Sequence, residues 1–264
     1  FDQAVLSRVV YGLREEYRNS GHYNATVTPR VQPQPRHRVA VSIIISEGSI
    51  AKIKKIDIIG NHAFSTKTLI KAMPMSTPNL FSFFTRDDRY STENIEKSLE
   101  ALRAYYLDRG YLMFKIDSNN AEFSADKKDV TIVIHVTEGQ MYTLSGYKLI
   151  GHTIVPEAEL RQVVDERLKV GEPFSRKAVI SADNAVGKSL GNNGYVFANV
   201  NAVPQIDEKN KKIALNIYME PGQRVYVRRI NFVGNTKTAD TVLRREMRQM
   251  EGGVASLSNM KESK

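Results

Sequence analysis

Residues 139–151 read Gly-Gln-Met-Tyr-Thr-Leu-Ser-Gly-Tyr-Lys-Leu-Ile-Gly, twelve steps from one glycine to the next. The same step recurs from Gly48 to Gly60 and from Gly222 to Gly234. Each interval holds a strand pattern rich in β-branched and basic residues: Ile53 to Ile59, Tyr142 to Ile150 and Val225 to Val233. Behind each second glycine comes Asn61, His152 or Asn235, and then a short helical pattern. The second glycines stand at 60, 151 and 234, so the repeats start 91 and then 83 residues apart. Periods of about 20 to 50 residues belong to solenoids whose units cannot fold alone. A period near 85 is instead a small domain with its own core, copied in tandem. Function is therefore expected from an array of modules, not from one pocket.

The bulk numbers fit that expectation. A chain of 264 residues has room for about two to four domains. An apolar share of 41% supports buried cores, and a charged share of 25% is ordinary for a globular chain. No apolar run approaches the roughly 18 residues that a membrane span requires. No basic segment followed by an apolar stretch marks a secretion signal at the start. Phe1 leads directly into a helical pattern, so the chain reads as a piece of a longer one. The lack of cysteine excludes a disulfide framework and thiolate metal sites, and leaves the compartment open. The net charge of +9 raises nucleic acid or an anionic membrane as partners. Nucleic-acid surfaces cluster basic residues with aromatics on one face. Here the basic residues are spread along the chain. Short groups occur only at Lys52/Lys54/Lys55, Arg36/Arg38, Arg228/Arg229 and Arg244/Arg245/Arg248, which favours a solvated surface.

Between repeats the order of elements is constant. A first helix is predicted over 65–73, 156–165 and 238–250, with Pro156 suited to a first helical position. A longer helix follows. In the middle unit Ser91 or Thr92 can cap it, and Ile95, Leu99, Leu102 and Tyr106 form one apolar face. Its equivalents are Leu6, Val9, Leu13 and Tyr17, and Val179, Ala182, Val186 and Leu190. Each long helix ends at a glycine (Gly21, Gly110, Gly194) followed at once or one residue later by Tyr23, Tyr111 or Tyr195. A glycine there supplies the left-handed conformation that caps a helix. Two strands follow, joined by a polar turn. In the second strand Val130, Ile132, Ile134 and Val136 alternate at period two, as do Ile213, Leu215, Ile217 and Met219. That is the pattern of a sheet buried on one face. The fold class is α+β: repeats of β-α-α-β-β, with two helices over one face of a three-stranded sheet. The longer repeat carries its extra residues at 74–90, where Leu80, Phe81, Phe83 and Phe84 are expected to extend the local core. Asp87 and Asp88, flanked by Arg86 and Arg89, read as a solvated turn.

Catalytic patterns are missing. The histidines His22, His37, His62, His135 and His152 form no HxxxH or HExxH spacing, and His135 falls within an alternating strand. Gly187-Lys188-Ser189 has the ending of a P-loop, but Ala182 stands where its first glycine is needed and the stretch lies in a helix. Asn24-Ala25-Thr26 matches a glycosylation sequon by pattern only. No nucleophile–base pair, cofactor motif or metal-ligand set emerges, so the chain is expected to be non-catalytic.

The β-α-α-β-β module, with Gly-Asn after its first strand and Gly-Tyr after its second helix, resembles the POTRA (polypeptide-transport-associated) domain. Ile59 to Phe64, Tyr105 to Tyr111 and Val242 to Gly252 carry the more specific resemblance, to the periplasmic modules of the outer-membrane β-barrel assembly machine of Gram-negative bacteria. Such assembly factors carry five modules before a membrane barrel. The resemblance implies that residues 1–48 are the C-terminal part of the second module. Residues 49–139 would be the third, 140–222 the fourth, and 223–264 the N-terminal part of the fifth, stopping after its first helix. Residues 253–264 depart from the pattern. It implies a mixed sheet and a scaffold on the periplasmic side of the outer membrane. The partners implied are unfolded outer-membrane protein precursors, BamB-like and BamD-like lipoproteins and periplasmic chaperones, with no nucleic acid and no cofactor. Leu112, Met113, Phe114, Lys115, Ile116 and Asp117 would form the partner-binding edge strand. Arg245, Arg248 and Glu251 would mark a lipoprotein-facing helix, and Gly60, Gly110, Gly151, Gly194 and Gly234 the structural turns. A two-partner-secretion or chloroplast-type transporter is the alternative within the family. A basic nucleic-acid-binding array is the alternative outside it.

Overall fold

The computed structural model describes residues 2–35, 38–77 and 88–263. It divides into two compact units. One comprises Phe1–Tyr106 with Met113–Gly139, the other Leu107–Leu112 with Gln140–Lys264.

The first unit opens on helix α1 (Gln3–Asn19) and the hairpin β1 (Thr26–Gln34) and β2 (Arg38–Ser46). A full module follows: β3 (Lys52–Ile59), α2 (Thr66–Ala72), α3 (Thr92–Leu107), β4 (Lys115–Phe123) and β5 (Asp129–Thr137). Its sheet has the order β3-β5-β4, with β3 parallel and β4 antiparallel to the central β5. The second unit repeats this with β6 (Thr143–Ile150), α4 (Glu157–Asp165), α5 (Arg176–Asn192), β7 (Asn199–Asp207) and β8 (Lys212–Glu220). Its sheet order is β6-β8-β7, again parallel on one side of the central strand and antiparallel on the other. The mixed α+β architecture expected from the repeat is what the chain adopts.

Alternation along the central strands fixes which side is the core. Val130, Ile132, Ile134 and Val136 are at most 5% exposed, and Ile213, Leu215, Ile217 and Met219 at most 6%. In the second unit they pack with Leu160, Val164, Val179, Ala182, Val186 and Leu190 from the two helices. The long helix of each full module starts at a serine that accepts a backbone amide, while α1 starts at Asp2, which accepts Ala4 N–H. Ser91 takes Asn94 N–H in the first module and Ser175 takes Ala178 N–H in the second. The short helix α2 is capped in the same way by Ser65, which accepts Thr68 N–H. Pro156 sits at the N-cap of α4, one position ahead of where its sequence placed it. Gly187 to Ser189 lie inside α5, and His135 lies on the β5 sheet face.

Several expectations need correction. Residues 225–233 do not form a strand; only Tyr226 pairs, in an isolated bridge to Val254. A parallel first strand needs a central strand beside it, and residues 223–263 contain none. The helix expected over 238–250 is confined to α6 (Asp240–Glu246), while residues 253–264 hold a further helix, α7 (Leu257–Glu262), capped by Ser256. Asp88 is not a solvated turn. It is 3% exposed and ion-paired to Lys52 at 3.0 Å. The expected contributions of Leu80, Phe81, Phe83, Phe84 and Asp87 lie outside the described residues.

Gly110 and Gly194 adopt φ values of +89° and +98°, as expected for caps of the long helices. Their role is larger than capping. The Gly110 carbonyl accepts the amide of Tyr142, and the Gly194 carbonyl that of Val225, so each fixes the start of the following repeat. A Cβ at Gly110 would stand 2.6 Å from the Tyr142 carbonyl oxygen. Gly171 has a similar φ of +92° but nothing within 4 Å of such a Cβ. Gly171→Ala should therefore cost only about 1 kcal/mol of conformational strain. Gly110→Ala should cost clearly more in urea unfolding, and equal losses at both sites would show that conformation alone matters. Ile132→Asp places an unpaired charge in the core at a cost of several kcal/mol. Calorimetry should show the first unit lost and the second melting as before; a single shifted transition for the whole chain would contradict independent cores.

Candidate strand-binding edges

In an antiparallel ladder, successive residues point their N–H and C=O groups alternately toward and away from the partner. Two hydrogen bonds fix this alternation in the first full module. Ser124 N–H donates to Asp129 O, so the odd residues of β5 face β4; Lys52 N–H donates to Lys128 O, so the even ones face β3. Both neighbours of β5 are thus bonded, and β4 is left with an outer edge. Beyond the bulge, Ser118, Asn120 and Glu122 oppose His135, Val133 and Thr131 and bond inward. Asn119, Ala121 and Phe123 point outward.

This corrects the predicted site. β4 begins at Lys115, so Leu112 and Met113 lie in a turn and Phe114 lies just before the strand. The Phe114 ring is buried, stacked 4.0 Å from that of Tyr106. Lys115 opposes Thr137 and therefore bonds inward. The register then shifts between Ile116 and Ser118, leaving Asp117 as the extra residue of a bulge, its carboxylate accepting the Thr137 hydroxyl at 2.7 Å. A single unpaired residue reverses the alternation, and no sequence pattern announced it. Of the strand residues in the predicted stretch only Ile116, opposite Val136, points its backbone groups outward; the other outward residues, Asn119, Ala121 and Phe123, lie later in the strand.

In the second module Lys211 O accepts Thr143 N–H, so the odd residues of β8 face β6 and the even ones face β7. The outward residues of β7 are then Val200, Ala202, Pro204 and Ile206. Ala202 N–H does point away, donating at 3.1 Å to a carboxylate oxygen of Asp183 on α5. Pro204 fits an outward position because it has no N–H to give a ladder. In β1 the outward carbonyl of Val27 accepts from Arg14 at 2.9 Å, which puts Pro29 and Pro33 on the same outer side.

The first strands are covered differently. Ile53 N–H donates to Asp88 O and Tyr90 N–H to Ala51 O, so residues 88–90 run along the start of β3. Residues 171–174 do the same for β6, and 252–255 for the stretch at 225–227. This contact explains the order of residues 253–263, for which sequence reading had no pattern. α7 then rests on α5, where Asn192 Oδ1 accepts Ser258 N–H at 2.9 Å.

The predicted lipoprotein-facing helix is also redrawn. Of Arg245, Arg248 and Glu251, only Arg245 lies on α6. Glu251 accepts Ile230 N–H at 2.7 Å and pairs with Arg244 at 2.9 Å, and these contacts hold its carboxyl below the usual range. All three are exposed, but Glu251 braces its own fold, leaving Arg245 and Arg248 as the members not engaged in that bracing. Among the described residues no group of three metal-ligating side chains converges, and no helix is long and apolar enough to cross a membrane.

Tandem β-α-α-β-β modules, each with a central strand bonded on both sides and an outer strand at the sheet edge, define the class. The chain belongs to the POTRA family (surface antigen variable number repeat), whose model matches residues 1–48, 51–139, 142–222 and 225–264. It is 32% identical over 265 residues to the outer membrane protein assembly factor BamA of Neisseria meningitidis, covering 100% of this chain and 33% of that protein. It is 33% identical over 214 residues to BamA of Buchnera aphidicola, covering 81% of this chain and 34% of that protein. The chain thus spans about a third of the length of these curated relatives. Among solved structures, POTRA3-5 of Haemophilus influenzae BamA superposes with a TM-score of 0.65 at 31% identity, covering 81% of this chain and 83% of that one.

Asp183 offers a test of the edge geometry. Its second oxygen is buried with no hydrogen-bond partner among the described residues. Burial pushes its carboxyl above its ordinary value of 3.8, and the Ala202 amide only partly opposes this. The folded state therefore holds the proton more tightly than the unfolded one. Asp183 favours folding most below pH 3.8 and progressively less as pH rises through its raised pKa. Asp183→Asn removes this dependence, so relative to wild type it should gain stability from pH 4 toward pH 7. A wild-type-minus-variant difference that stayed flat over that range would mean the carboxylate is not held as described.

Proposed function

We propose that this chain is a non-catalytic scaffold that binds extended segments of unfolded outer-membrane proteins by strand addition to β4. The observation that carries it is the outer edge of β4. Asn119 and Ala121 present backbone groups outward, with no acceptor for their amides among the described residues. Such an edge is a template for an added strand, and backbone bonding tolerates many sequences. That suits a scaffold that must handle many barrel precursors. The relatives named as outer membrane protein assembly factors support this role and a periplasmic position. The POTRA3-5 neighbour supports reading 49–139 as a third module and 140–222 as a fourth, flanked by part of a second (1–48) and part of a fifth (223–264). Docking of a BamB-like lipoprotein at the third module, and of a BamD-like one around Arg245 and Arg248, belongs to the same proposal.

Proline in place of an outward donor tests it. Asn119→Pro should weaken binding of a barrel-derived peptide at least about tenfold, or ~1.4 kcal/mol, with little change in unfolding. Asn119→Ala keeps the amide and should bind nearly as wild type. Calorimetric titration of both variants decides the matter: equal losses would assign recognition to the side chain, and no loss in either would place it on another face.

A further inference from the structure

β4 and β7 occupy the same place in their modules and align residue by residue. Asn119, Ala121 and Phe123 oppose Ile134, Ile132 and Val130; Ala202, Pro204 and Ile206 oppose Ile217, Leu215 and Ile213. At the first of these positions β4 has a free amide, whereas the Ala202 amide already donates to Asp183. At the second, β4 has Ala121 and β7 has Pro204, which offers no donor. The difference extends into the long helices. Asp183 stands 11 residues before Gly194, and the residue 11 before Gly110 is Leu99, a hydrocarbon with nothing to accept an amide. β1 is blunted by Pro29, Pro33 and the Arg14 contact to Val27. Charged groups and prolines at outward positions are the means by which sheet edges avoid pairing.

We propose that Asp183 and Pro204 close β7 to strand addition, so that of these three equivalent strands only β4 receives an extended chain, across Asn119 to Phe123. This rests on the strand-addition reading above and adds the residues that decide which edge takes part. The Asp183 carboxylate stands where the carbonyl of an added strand would stand. An incoming chain must displace it and still finds one fewer donor at Pro204. The occupant of β4 is defined by its two faces. Ile116, Ala121 and Phe123 lie half-buried on the helix side, opposite the buried residues of β5, while Ser118, Asn120 and Glu122 are exposed on the other side. Cross-strand neighbours match in character. The fitting ligand is therefore a strand alternating apolar and polar residues, as in a barrel wall.

The probe is a nine-residue peptide alternating valine with threonine, titrated into the whole chain and followed by amide NMR. Shifts are expected over 119–123 and not over 200–206. Without peptide, the Ala202 amide should exchange with solvent at least about tenfold more slowly than that of Ala121. In the double variant Asp183→Leu with Pro204→Ala, the protection of Ala202 should vanish and β7 should acquire peptide shifts. Pro204→Ala alone serves if the double variant loses its dispersed spectrum, with weaker shifts expected on β7. Peptide shifts on β7 of the wild type, or a freely exchanging Ala202 amide there, would overturn the closure while leaving strand addition intact. So would an opened β7 that still ignores the peptide while β4 binds it. Shifts on neither edge in any of these proteins would defeat the strand-addition reading itself, and this proposal with it.

Discussion

The backbone of the central strand is committed on both sides, and most other features follow from that. In β5 the odd residues bond β4 and the even ones bond β3, and β8 is placed likewise between β7 and β6. With both rows of backbone groups occupied, one row of side chains must be buried and the other left facing away. Ile132 and Ile134 therefore lie under the helices. The same constraint sets the alternation on the neighbouring strands. It leaves Ala202 and Pro204 pointing away from the sheet, and it turns the backbone of β4 outward at Ile116 before its bulge and at Asn119, Ala121 and Phe123 after it.

A second regularity lies where one repeat meets the next. The carbonyls of Gly21, Gly110 and Gly194 each accept an amide from the start of the following repeat, from Ala51, Tyr142 and Val225. The residues just before each long helix then run along that same first strand. These are backbone contacts, indifferent to side chains apart from the need for glycine. They explain how repeats with different surfaces keep one internal geometry. Around them side chains vary freely: Tyr23, Tyr90 and Phe123 form an aromatic cluster in the first unit, while Asn192 anchors α7 in the second.

The glycine spacing and the alternation of Val130 to Val136 and Ile213 to Met219 made the module, its core and its sheet legible in the sequence. Both report strong local requirements, a turn conformation and a buried row. The ends of the helices were legible too, because Gly110 and Gly194 each serve conformation and packing together. The start of β4 was not, because a bulge is a fact about pairing and Asp117 has no composition that marks it. Asp88 reads as a polar turn residue until its long-range partner Lys52 is seen. Glu251 likewise reads as part of a lipoprotein-facing helix, whereas it lies beyond that helix and is bonded to Ile230 and Arg244. The two full edges were indistinguishable in strand propensity. Pro204 and Asp183 were visible as letters, but their direction depends on register, which only the fold supplies.

The mixed sheet also imposes an order of events on the growing chain. Phe123 and Val130 pair across 7 residues, whereas Ile56 and Ile132 pair across 76. A hairpin closes in about 1–10 μs, while distant pairings must first overcome the entropy of a long loop. The first strand of each module is made early and its permanent neighbour last. In between, the segment ahead of the long helix offers Ile53 a nearer partner in Asp88, only 35 residues on. That segment covers the edge of β3 away from β5, so while the rest of the module emerges the first strand has a single open row of backbone groups, the one its permanent neighbour will take.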